Sequence, residues 1–164
     1  MEAANRGAKE AGGQSIGCNI ILPKEQKPNK YLDRWVELNF FFVRKILLTK
    51  YSYAFVVMPG GYGTMDEFFE AITLIQVGKT QRFPVILFGT KFHEELIRYI
   101  ENMAQEHTIN PEDAKLFLFT DSITETIDHI NKYAVQGFGL KQKKRMQPSS
   151  FLGEHGLHLR NIKS

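Results

Sequence analysis

The sequence predicts an α/β layer fold built on a parallel sheet, and three observations carry that prediction. Segments with a helical pattern alternate with short, strand-like apolar runs from residue 2 to residue 135, the order expected of βαβ units. Two of those runs, Tyr53–Met58 (YAFVVM) and Pro84–Phe88 (PVILF), show no polar alternation, as strands covered on both faces do. The first leads straight into Pro-Gly-Gly-Tyr-Gly-Thr and a helical pattern, the strand–turn–helix sequence of doubly wound sheets. The expected architecture is a Rossmann-like three-layer domain over residues 1–140.

Each element has its own reason. Residues 2–11 are Ala-rich and stop at Gly12-Gly13, a helix with a glycine end. Ser15–Leu22 (SIGCNIIL) is short and β-branched, hence a strand. Pro23–Lys30 is polar with two prolines and reads as a loop. Trp35, Leu38, Phe42 and Ile46 recur every three or four residues and predict one long helix over Leu32–Lys50. Tyr53–Met58 is expected at the centre of the sheet. A helix follows from Thr64 to about Val77, then the strand Pro84–Phe88, a helix over Phe92–Glu106 and a strand over Leu116–Phe119. Ser122-x-x-Glu125 has the capping-box pattern and opens the last helix, to about Val135. Gly137 and Gly139 close the domain, and no internal repeat is visible.

Composition bounds the function. At 164 residues, 43% hydrophobic and 24% charged, the chain is an ordinary globular sequence and not a disordered, coiled-coil or collagen-like one. No apolar run reaches the roughly 18–20 residues of a membrane span, and Met1–Arg6 carries no leader pattern. With Cys18 as the single cysteine, a cytoplasmic protein without an internal disulfide is expected. The net charge of +3 is carried by the end of the chain: residues 141–164 hold six of the 21 Lys/Arg and one of the 18 Asp/Glu. That segment is expected to be a basic tail outside the domain. The body lacks the basic, aromatic-studded stripe of a nucleic-acid binder. The histidines show no metal-ligand spacing apart from His155-x-x-His158 in the tail, and neither a metal nor a cofactor is expected.

The chemistry concentrates at Pro59–Thr64. Gly60, Gly61 and Gly63 allow a tight turn and close approach to a ligand. The helix that follows aims unpaired N–H groups and its positive dipole end at the same point, an anion site suited to a phosphate. Neither GxxxxGK[ST] nor GxGxxG is present. The residues alone leave two readings open. The glycines can simply shape the turn, and Thr64-x-x-Glu67 can be a capping box. Asp66 and Glu70 read as helix-surface acids, and Cys18 as a small core residue.

The run Pro59-Gly60-Gly61-Tyr62-Gly63-Thr64-Met65-Asp66-Glu67 matches PGGxGTxxE, and Arg44-Lys45 lies fifteen residues before the turn. Together they resemble the two motifs of the Lonely Guy family of cytokinin-activating phosphoribohydrolases, and the resemblance extends over nearly all of residues 1–135. It implies hydrolysis of the N-glycosidic bond of a nucleoside 5′-monophosphate, a cytokinin riboside monophosphate or AMP. Glu67 and Arg44 would be catalytic. Lys45, Gly60, Gly61, Tyr62, Gly63, Thr64 and Thr73 would contact substrate. The resemblance also implies a homodimer, which suits the aromatic run Phe40–Phe42. Family members open with a strand and a GGGxxGxM segment, and Met1–Ala4 matches what immediately follows it, so the first strands are expected to be lacking. A non-catalytic module binding a phosphorylated ligand at the same turn is the second reading, as an inactive, shortened paralogue would be. Members often carry the label lysine decarboxylase, but no lysine here sits in a recognisable pyridoxal-phosphate setting.

Overall fold

A computed structural model describes residues 1–22 and 28–141. In chain order the elements are α1 (Glu2–Glu10), β1 (Ile16–Ile20), β2 (Arg34–Leu38), α2 (Phe41–Tyr51) and β3 (Phe55–Val57). They continue with α3 (Tyr62–Gln76), β4 (Val85–Phe88), α4 (Thr90–Gln105), β5 (Leu118–Thr120) and α5 (Ile123–Ile130). Among the described residues every strand pairing is parallel. β1 pairs with β2, and a second sheet runs β3-β4-β5. With helices flanking these sheets, the architecture is the Rossmann-like three-layer fold that the alternation predicts.

β4 is the central strand. Val85, Ile86 and Leu87 are all fully buried, and because side chains alternate along a strand, both of its faces are covered. Val85 and Leu87 join Phe68, Ala71 and Ile75 of α3 and Ile100 of α4 in the main core. Phe55 and Phe83 close it with an edge-on ring contact at 5.2 Å.

Two expectations are corrected. Tyr53–Met58 does not supply a central strand: β3 lies at the edge of its sheet. Val57 faces the core, whereas Val56 is 44% exposed. An unbroken apolar run marks a strand here, but not its place in the sheet. The helix expected over Leu32–Lys50 is two elements. Arg34–Leu38 pairs with β1, Ile16 opposite Arg34 through Ile20 opposite Leu38, and α2 begins only at Phe41 after Phe40 in extended conformation. The spacing of Trp35, Leu38, Phe42 and Ile46 was the misleading signal, since Trp35, Phe42 and Ile46 are all exposed and form no single buried stripe.

Smaller differences are shifts of one to three residues. β5 starts at Leu118, after a 3-10 turn at Asp113–Lys115. The last helix passes into a π-helical stretch, Asn131–Gln136. Ser122 caps α5 as its motif predicts, accepting from Glu125 N at 3.2 Å. The reciprocal bond is replaced: Ser122 N donates to Thr120 Oγ1 at 2.9 Å, and that hydroxyl also bonds the Glu125 carboxylate. Of the expected Pro23–Lys30 loop, residues 23–27 lie outside the described residues, as does the tail beyond Lys141. No described helix is long and apolar enough to cross a membrane.

His93, in the first turn of α4, is 2% exposed, and its Nε2 has no partner among the described atoms. Burial pushes its pKa below the ordinary 6.5. Unfolding restores the ordinary value, so below about pH 6.5 the unfolded chain takes up a proton that the folded one refuses. The stability present at neutral pH is therefore lost as pH falls through that window. His129 acts in the same sense, chiefly through burial. His93→Leu should flatten the fall in Tm between pH 7 and pH 5 and leave the fold intact. An unchanged pH slope in thermal melts would contradict this.

Candidate active site

The Pro59–Thr64 turn lies at the carboxyl end of β3, where ligands bind in open parallel sheets. Pro59 is set against Gly89, at the carboxyl end of the neighbouring β4. A Cβ at Gly89 would stand 3.0 Å from Pro59 Cγ, and the residue has φ +106°, so glycine is needed there on both counts. Gly60 is needed for a different reason: its missing Cβ would collide with the Thr64 hydroxyl. Around Gly61 and Gly63 the Cβ positions are open, which leaves the backbone approachable from outside. Neither has a left-handed φ, so access, and not turn geometry, is what these two glycines provide.

α3 starts at Tyr62, with Gly61 as its N-cap and no side-chain capping bond. This removes the capping-box reading of Glu67. A capping box would place the helix start at Thr64 and turn Glu67 back onto it. Instead Thr64 is already in the first turn, donating its N–H to Gly61 O at 3.0 Å. Glu67 reaches across to α2, where its Oε1 accepts from Arg44 Nη2 at 3.3 Å. The two side chains are 20% and 25% exposed, enough shielding for the charges to matter. Arg44 Nε is buried and has no partner among the described atoms. A buried guanidinium donor is costly to leave unmade.

Lys45, the next residue on α2, is equally committed. Its Nζ stands 2.9 Å from Asp66 Oδ1 and 2.8 Å from Glu70 Oε2. The two carboxylates, Glu70 above all, push the ammonium pKa well above its ordinary value. Asp66 and Glu70 are thus more than the surface acids the sequence suggests. Their one-turn spacing on α3 and the adjacent Arg-Lys pair on α2 were the available signal. Cys18 of β1 lies within the electrostatic reach of both Arg44 and Glu67; burial is the main cause raising its thiol pKa, and Arg44 opposes it.

The remaining expected residues are placed less centrally. Tyr62 is 98% exposed at the first position of α3. Thr73 lies two turns after Asp66 on α3 and is exposed. An open groove of about 720 Å³ adjoins the site along the lower part of α2 and α3, lined by Ile46, Thr49, Tyr53, Glu70, Leu74 and Phe83 among others. It shares Glu70 with the charged seam, but none of the glycines of the turn lines it.

A family model described as "possible lysine decarboxylase" matches residues 1–130. The chain belongs to that family, to which the Lonely Guy motifs also point. A cytokinin riboside 5′-monophosphate phosphoribohydrolase of Arabidopsis thaliana is 26% identical over 138 residues, 82% of this chain and 63% of the relative. A second protein of that name from the same plant is 30% identical over 102 residues, covering 62% and 47%. One from Rhodococcoides fascians is 38% identical over 68 residues, covering 42% and 34%. The chain thus spans less than two thirds of the length of these relatives. The family's decarboxylase label finds no support at Lys45, which is held as an ammonium between two carboxylates and not as the free amine that imine formation needs.

Proposed function

We propose that this Lonely Guy family chain hydrolyses the N-glycosidic bond of a nucleoside 5′-monophosphate, giving the free base and ribose 5-phosphate. The observation that carries the reading is the direction of Glu67, which leaves its own helix end and meets Arg44 across the α2–α3 seam. A residue that only stabilised α3 would have no need of that partner.

The chemistry follows from the groups present. The 5′-phosphate takes the N-terminus of α3, where the amides at Gly61–Gly63 are approachable and the dipole favours an anion. The ribose then faces Glu67. As the bond from C1′ to the base nitrogen lengthens, positive charge builds on the ring, and the Glu67 carboxylate stabilises it. Water adds to C1′ with Glu67 orienting it. Its hydroxyl remains on the ribose, and its proton leaves with the departing base. Arg44 holds Glu67 in place and supplies a fixed positive charge beside the substrate. The relatives' names support a cytokinin riboside monophosphate as substrate, AMP offers the same bond and the same 5′-phosphate, and the reaction needs no cofactor.

Incubation with AMP or an N6-modified adenosine monophosphate should release base and ribose 5-phosphate in equal amounts. Tight binding without base release would favour the non-catalytic module instead. The exposed run Phe40–Phe42, with Phe40 and Phe42 stacked at 5.6 Å, together with Trp35 and Ile46 offers more apolar surface than a lone domain leaves open. We propose that a second copy covers it. Light scattering should give twice the 18.9 kDa chain mass, and a strictly monomeric particle would contradict this. Residues 1–140 would form the catalytic domain of a cytoplasmic protein, with 141–164 as a basic appendage.

A further inference from the structure

We infer that Lys45 is a positioning residue, a fastener that holds α3 in register with α2 so that Glu67 meets Arg44, and not a ligand of the substrate phosphate. The inference deepens the proposed hydrolysis and rests on it.

Arg44 and Glu67 belong to different parts of the fold. α2 packs on β1 and β2, α3 packs on β4, and among the described residues no strand pairing joins the two sheets. Their encounter therefore depends on what crosses the α2–α3 seam. Asp66 and Glu70 are one turn apart on α3 and straddle Lys45 Nζ at 2.9 and 2.8 Å. Glu67 sits between them in sequence. A fork gripping one ammonium fixes both the rotation and the axial slide of α3 against α2, whereas a single ion pair leaves the slide free. The alternative role is disfavoured by charge. One cation between two carboxylates is a net negative group, and a phosphate dianion would be repelled by it. Lys45 also lies on the seam and not at the glycine turn.

The two roles predict opposite responses to removing the acids. For a positioning role, Lys45→Met should lower kcat by about 10- to 100-fold, the scale of a misplaced catalytic group, with KM for AMP changed less than about 3-fold. The Asp66→Asn/Glu70→Gln double variant should lower kcat to a similar degree, and adding Lys45→Met to it should cost little more. For a phosphate ligand, Lys45→Met would instead raise KM and erase the preference for AMP over adenosine. Freeing the lysine from its acids would lower KM. Either result overturns the inference.

A second readout does not need turnover. In 1H–15N spectra the buried Arg44 Nε–H should exchange with solvent slowly in the wild-type protein and faster in both variants, with Lys45→Arg restoring the slow rate. Unchanged exchange in Lys45→Met would overturn the positioning role by itself. If the wild-type protein releases no base while Arg44 Nε–H responds as expected, the hydrolase reading fails and the fastener stands.

Discussion

Glu67→Gln should lower turnover of a nucleoside 5′-monophosphate by about 10²-fold or more, the cost of removing one electrostatic stabiliser from an active site. The same change should leave the melting temperature nearly where it was. The reasons lie in the geometry. Glutamine keeps the side-chain length, and its carbonyl oxygen can still accept from Arg44 Nη2 across the 3.3 Å gap. No cap is lost, because α3 begins at Tyr62 and Glu67 takes no part in closing its end. What disappears is the negative charge that would face the ribose as its ring becomes cationic. Kinetics and thermal melts on one preparation read both quantities. A lower melting temperature with turnover unchanged would make Glu67 a structural residue and return the chain to the binding-module reading.

Much of this was legible in the sequence, for identifiable reasons. The parallel α/β fold follows from the alternation of periods. The end of α1 follows from Gly12, which has φ +73°, and the start of α5 from Ser122. The Arg44–Glu67 pair was reachable only through the two motifs, since nothing in residue spacing says that positions 23 apart will meet. The failures share one cause: local pattern does not report tertiary partners. Arg34–Leu38 has residues that suit a strand, but its identity depends on pairing with β1, which no helical-spacing count can see. Tyr53–Met58 is apolar enough for a central strand, and only the sheet order makes it an edge. For Lys45 the resemblance implies a substrate contact, and local pattern is silent on its surroundings. Its two acidic partners lie 21 and 25 residues away on another helix.

The measurement that bears most directly on the central claim compares AMP with adenosine as substrates of the same wild-type preparation, following free adenine from each. Adenosine lacks the anion that the α3 N-terminus would hold under the proposed function. Charge-assisted hydrogen bonds of this kind are worth about 1.5–3 kcal/mol each, so losing two should depress kcat/KM by about 10²-fold or more. The account predicts rapid release of adenine from AMP, with ribose 5-phosphate as the partner product, and little from adenosine. Equal rates on the two substrates would mean that the Gly60–Thr64 turn holds no phosphate, and release of orthophosphate in place of adenine would mean that the bond being broken is not the N-glycosidic one.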